Sequence, residues 1–71
     1  MNKTEMRIVM LRNGDTNKGL AEYLGITEQS VSAKINENGT EFKQGEIAKI
    51  KERYNLTAEE IEAIFFASEV S

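Results

Sequence analysis

An all-α domain of five short helices is the fold class this sequence predicts, on three observations. Pro is absent and β-branched residues are scattered rather than clustered as strands require. Apolar residues recur at i and i+4 in several short runs. Each of three such runs follows a threonine placed to cap a helix: Thr16, Thr27 and Thr57. Cys and His are also missing from the 71 residues, which removes disulfides, thiolate chemistry and the usual zinc ligands. A chain this short, without a staple, has to hold itself together by packing.

The first helix is expected from Thr4 to about Arg12. Met6 and Met10 share its inner face, with Val9 and Leu11 beside them. Ile8 falls off that stripe, either as an isolated exposed hydrophobe or as a dimer or partner contact. Asn13-Gly14-Asp15 is a turn signal, and Thr16 caps a second helix over about Asn17 to Leu24. Leu20, Ala21 and Leu24 point inward there, with Tyr23 at the margin. Gly25 stops that helix because it takes a positive φ without a Cβ clash. Thr27 then starts a third, from about Glu28 to Ile35 or Asn36. Val31 and Ile35 are its buried positions, leaving Glu28, Gln29, Ser32 and Ala33 outward.

After a loop at Asn36-Glu37-Asn38-Gly39, a fourth helix is expected from about Lys43 to Tyr54. Ile47, Ile50 and Tyr54 form its inner stripe, with Ala48 and Lys51 to the side. Phe42 ahead of it acts as a core plug. Asn55-Leu56 breaks the chain, and Thr57-Ala58-Glu59-Glu60 reads as a capping box. The fifth helix continues through Ile61, Ile64 and Phe65 to about Phe66 or Ala67. The 3.6-residue stripe is then full, so Phe66 is the exposed member of its pair. Ser68–Ser71 reads as a frayed tail. No repeat, linker or low-complexity segment divides the chain, so residues 1–71 form one domain.

Residues 17–36 organise the rest. Two short helices joined through Gly25-Ile26-Thr27 must cross steeply, and Ala21 is small enough to let them approach. That is helix-turn-helix geometry, whose second helix can lie in a DNA major groove. The net charge of −3 runs against a nucleic-acid partner when taken whole. Its distribution changes the picture. Residues 1–55 hold all nine Lys and Arg against eight acids, a net +1, while the last sixteen residues hold four acids and no base. A net +1 is still a weak electrostatic footprint, which lowers affinity and its salt sensitivity.

The run LAEYLGITEQSVSAKIN resembles the DNA-binding core of the lambda-repressor-like, or Xre-family, helix-turn-helix proteins. With the lead-in RNGDT and the trailing EIAKIKERYNLTAEEIEAIFF, the likeness narrows to small repressor-like proteins of Firmicutes prophages. It covers about residues 4–67. The resemblance implies a compact five-helix domain that binds double-stranded operator DNA as a two-fold dimer, without a cofactor or metal. It assigns base reading to Glu28, Gln29, Ser32 and Ala33. Gln29 can pair its amide with adenine N6 and N7, and the Ala33 methyl can meet a thymine methyl. Glu28 departs from a phosphate-friendly pattern: it either accepts from cytosine N4 or simply suits the positive end of its own helix. For phosphate contacts the resemblance implies Asn17, in place of the family's Gln, together with Lys18, Lys34, Asn36 and Lys43. The loop Asn36–Thr40 is longer than the group's Asn-Gly-Lys turn, and Glu37 in it would repel the DNA backbone.

Other classes fare worse. Glu59, Glu60 and Glu62 cluster, but at the start of a capped helix they complement its dipole rather than form an acid–base pair. No Gly-rich phosphate loop follows a strand. An enzyme with a small-molecule substrate is not expected. No apolar run reaches the roughly 20 residues needed to cross a bilayer, and charges break up the N-terminal apolar stretch, so a cytoplasmic protein is expected. The alternative is a helical protein-interaction module on a helix-turn-helix scaffold that no longer binds DNA, docking through Ile8 and Phe66. Charge placement separates the two: Lys18, Lys34 and Lys43 converging around Gln29 and Ser32 favours DNA, and a neutral or acidic face there favours the interaction module. A domain this small has no separate dimerisation unit, so a dimer is expected to be weak and assisted by DNA.

Overall fold

In the computed structural model, which describes residues 1–66, α1 spans Lys3–Arg12 and begins one residue earlier than expected. Asn2 is the reason: its side-chain oxygen accepts from the Glu5 N–H at 3.1 Å and caps the helix. Helix α2 spans Asn17–Leu24 and α3 spans Glu28–Ile35, as the capping residues predict. Thr16 accepts from the Gly19 N–H at 3.1 Å, and Thr27 from the Ser30 N–H at 3.0 Å. Helix α4 spans Gln44–Tyr54, with Lys43 just outside it as the capping residue. Lys43 offers no acceptor, and instead Glu46 reaches back to the Lys43 N–H at 2.9 Å.

The last helix, α5, is brief. Ala58–Ile61 is α-helical behind a complete Thr57/Glu60 capping box, with bonds of 3.0 and 3.1 Å. The chain then widens into a π turn over Glu62–Phe66 that the periodicity did not foretell. The Ile64 carbonyl in that turn accepts from the Asn2 N–H at 2.6 Å, tying both ends of the described chain together. The frayed tail expected at 68–71 lies outside the described residues.

Helices α1 to α4 all end in the same way. A residue at the cap or just beyond it takes a left-handed conformation: Gly14, Gly25, Glu37 and Asn55, with φ of 63°, 74°, 51° and 53°. The next N–H reaches back five residues, as Ile26 does to Ala21 O at 3.0 Å and Leu56 to Lys51 O at 2.9 Å. These are Schellman stops, which satisfy the orphan carbonyls and turn the chain sharply. They let helices of eight to eleven residues fold around one centre.

That centre is where the apolar spacing puts it. Met6, Leu20, Val31, Ile50 and Ile64 are fully buried, one from each of α1 to α4 and one from the π turn. Around them close Val9, Met10, Ala21, Leu24, Ile35, Phe42, Tyr54, Leu56 and Ile61. Burying a side chain such as Leu20 or Ile50 contributes about 2 kcal/mol. Phe42 plugs the core as expected and meets Phe65 edge to face, centroids 6.0 Å apart. Three assignments to the inner face are corrected. Leu11, expected beside the α1 stripe, is 77% exposed, because its neighbours Met10 and Val9 already occupy the inward positions. Ile47 and Phe65 are only partly buried, at the margin of the core. Ile8 and Phe66 are exposed, as expected. The Cα radius of gyration is 11.2 Å, about that of a compact chain of this length. Among the described residues no helix is long and apolar enough to cross a membrane.

Candidate nucleic-acid interface

Helices α2 and α3 pack directly on each other across the Gly25–Thr27 turn. Glu28 and Gln29 stand exposed in the first turn of α3, with Ser32 and Ala33 half-buried one turn on. Gln29 is therefore free to present its amide, and Ser32 is reachable only along the side of the helix. An open groove of about 250 Å³ runs beside it, between α1, the start of α2 and the second half of α3. Met10 and Ile35 form its apolar floor. Its polar lining comes from Asp15, Thr16 and Asn17 on one side and Ser32 and Asn36 on the other, with Arg7 on the α1 wall. The groove thus brings Asn17 and Asn36, far apart in sequence, to the same depression as Ser32.

The expected phosphate contacts divide. Lys18 is exposed at the start of α2, and among the described residues it forms no ion pair. Lys34 is withdrawn from the set. It is 7% exposed, and its ammonium is spent inside the fold on Glu46 Oε1 at 3.0 Å and the Glu41 carbonyl at 3.5 Å. The last turn of α3 faces the loop before α4, so a cation there meets protein rather than solvent. Burial pushes the Glu46 carboxyl up, but the Lys43 N–H and the Lys34 ammonium outweigh it and leave it below its ordinary value. Asn36 stays exposed, with its carboxamide bonded to the Ser32 carbonyl at 2.9 Å and accepting from Lys3 Nζ at 3.3 Å. Lys43 is exposed but borders a second groove of about 310 Å³, lined by Phe42, Ile47, Phe65 and Phe66. The three lysines therefore do not converge around Gln29 and Ser32. Glu37, expected to repel the DNA backbone, is engaged with the Met1 amine at 2.8 Å.

Two features of this region escaped the sequence pattern. Arg7 joins the groove without an ion pair among the described residues, a position that only the packing of α1 defines. Asp15, beside the Thr16 cap, is gripped from α4. Arg53 donates Nε to Oδ2 at 2.8 Å and Nη2 to Oδ1 at 3.1 Å, and the Tyr54 hydroxyl donates to Oδ2 as well. The Arg53 fork, helped by Tyr54 and the Thr16 N–H, holds the Asp15 carboxyl at about 2 against burial. Burial and the Asp15 contact push the Tyr54 phenol above its ordinary value. Gly19 was the available signal: a glycine inside a helix points to a close approach.

Comparison with protein-family models, with curated proteins and with solved structures found no match to this chain.

Proposed function

We propose that this domain is a sequence-specific DNA-binding regulator of the lambda-repressor-like, prophage type, acting in the cytoplasm by occupying an operator. In this reading α3 enters the major groove and Gln29 reads bases, with Ser32 and Ala33 closing on the groove wall. Thr16–Lys18, Asn36 and Arg7 hold the DNA backbone. The observation that carries the reading is the groove that gathers Arg7, Asn17, Ser32 and Asn36 alongside the exposed first turn of α3. Arg7 takes the place of Lys34 as the cation of this face. With Arg7, Lys18 and Lys3, whose ammonium sits on Asn36, as its cations, the interface neutralises about three phosphates. The slope of log affinity against log salt should then be only about −3.

Selection from a random duplex pool at low salt tests this. A recurrent two-fold motif is expected, and Gln29→Ala should lower affinity for it by about 1–3 kcal/mol while leaving binding to random duplex unchanged. A pool that never departs from random sequence counts against the reading.

Two observations favour the interaction module instead. Lys18, Lys34 and Lys43 do not converge around Gln29 and Ser32, since Lys34 is buried against Glu46 and Lys43 borders the second groove. Phe66 is 63% exposed beside Phe65 and Ile47 in that groove, an apolar strip that DNA binding does not use. Failure of the selection together with loss of a partner on Phe66→Ser would move the assignment there.

A further inference from the structure

Asp15 is a negative charge in an awkward place for a DNA-binding face. It directly precedes the Thr16 cap of α2, lines the same groove as Asn17, and accepts from the Thr16 N–H at 2.9 Å. A bare carboxylate there would repel any phosphate drawn to the start of α2. It is not bare. Arg53 covers both oxygens with a bidentate fork, and the Tyr54 hydroxyl adds a further donor. The Asp15 side chain is left 9% exposed.

The surroundings are shaped to this contact. The Arg53 guanidinium lies over the Tyr23 ring, 4.8 Å from its centroid, so α2 and the α4 residue that grips its start are held face to face. Position 19 carries no Cβ. One placed there would collide with Asp15 Oδ1 and stand 3.4 Å from Arg53 Nη2. A glycine in the first turn of α2 weakens that helix, and its presence makes room for the clamp.

We propose that Arg53 and Tyr54 are positioning residues for the phosphate-facing start of α2. By holding and neutralising Asp15, they fix Thr16 and Asn17 in one orientation and let a phosphate approach without meeting an unscreened carboxylate. The proposal rests on the DNA-binding reading for its consequence, but its structural half stands on the free protein. Helix α4 reads no base in this scheme. It governs the interface from behind.

The test pairs amide NMR of the free protein with binding to a mixed-sequence duplex at low salt. Arg53→Met should shift the Thr16, Asn17 and Lys18 amides and lower affinity about tenfold, by unmasking one charge close to a phosphate. Adding Asp15→Asn to Arg53→Met should recover most of that affinity, since no bare carboxylate remains. Arg53→Lys, which keeps the charge without the fork, should lose less than Arg53→Met. Wild-type affinity in Arg53→Met, or a double variant no better than the single one, overturns the proposal. If the unaltered protein binds no duplex, the DNA reading falls, and the amides decide the positioning half alone. Movement that reaches Thr16–Lys18 as well as the residues around positions 23 and 53 then upholds it, and stationary Thr16–Lys18 amides overturn it. Should Arg53→Met fail to fold, Tyr54→Phe removes one donor only and is read by the same two measurements.

Discussion

At the scale of single residues, the side chains that matter most are those whose partners lie far along the chain. Gly19 is the clearest case. Alanine normally strengthens a helix relative to glycine by about 1 kcal/mol. Here Gly19→Ala should destabilise by about 2 kcal/mol, because its methyl must displace an Asp15 carboxylate held by Arg53, Tyr54 and the Thr16 N–H. In an Asp15→Ala background the same change should become neutral or stabilising, a reversal that urea unfolding of the four proteins would reveal. Lys34 makes a parallel case. Its side chain is 9% exposed and that of Glu46 17%, so Lys34→Met strands a largely buried carboxylate and should cost about 2–3 kcal/mol. If Lys34→Met unfolds at the wild-type urea concentration, the ammonium is in solvent after all and returns to the DNA face. Neither contact was legible in the sequence. Asp15 and Arg53 are separated by 38 positions and Lys34 and Glu46 by 12, and no periodicity relates them. Lys34 looked solvent-facing because a lysine usually is.

At the scale of elements, the caps made the chain readable. Threonines at 16, 27 and 57 and the stops at Gly25 and Asn55 act within one turn of themselves, so their effects follow from local sequence. That locality is why α2 and α3 end where expected, while α1 begins earlier at the less obvious Asn2 cap. The π turn at Glu62–Phe66 is different. Its Ile64 carbonyl is taken by the Asn2 N–H, a tertiary contact that local spacing does not encode. Gly25 carries the sharpest local demand, since it sits at φ 74° between the two helices of the proposed DNA-binding unit. Nothing lies within 4 Å of where its Cβ would be, so Gly25→Ala suffers from backbone strain alone. A loss of about 1 kcal/mol is expected, read as a lower melting temperature with α-helical circular dichroism retained. An unchanged melting temperature would mean that the turn relaxes.

At the scale of the whole molecule, the acid limb of stability should be dominated by a few carboxylates. Asp15 is lowered from 3.8 to about 2 by the Arg53 fork, and it loses its charge-assisted bonds only when protonated. Glu60 is lowered by the Thr57 N–H and by Arg12, and Glu46 by the Lys43 N–H and Lys34 against the opposing effect of burial. Each folded-state value lies below the unfolded one. Their stabilisation is therefore complete above the ordinary carboxylate range and is lost as pH falls through the folded values. For Asp15 that loss runs from near 3.8 down toward 2 and amounts to about 2 kcal/mol. Tyr54 works in the opposite sense. Its phenol, raised from 10.0 by burial and the Asp15 contact, supports the fold at lower pH and ceases to as pH climbs past its folded value. Unfolding followed across pH should show a plateau between these limits, and Asp15→Asn should flatten its acid edge. An acid edge that is unchanged in Asp15→Asn would assign the loss to the glutamates.

The space left by Gly19 also bears on ancestry. A lineage that changed Asp15 to a smaller or uncharged residue would remove the obstacle to a side chain at 19, and Arg53 would lose its anchor in the same step. Positions 15, 19 and 53 should therefore be inherited as a block, kept together in some descendants of this domain and replaced together in others. Mixed combinations, such as alanine at 19 with aspartate still at 15, should be rare among them.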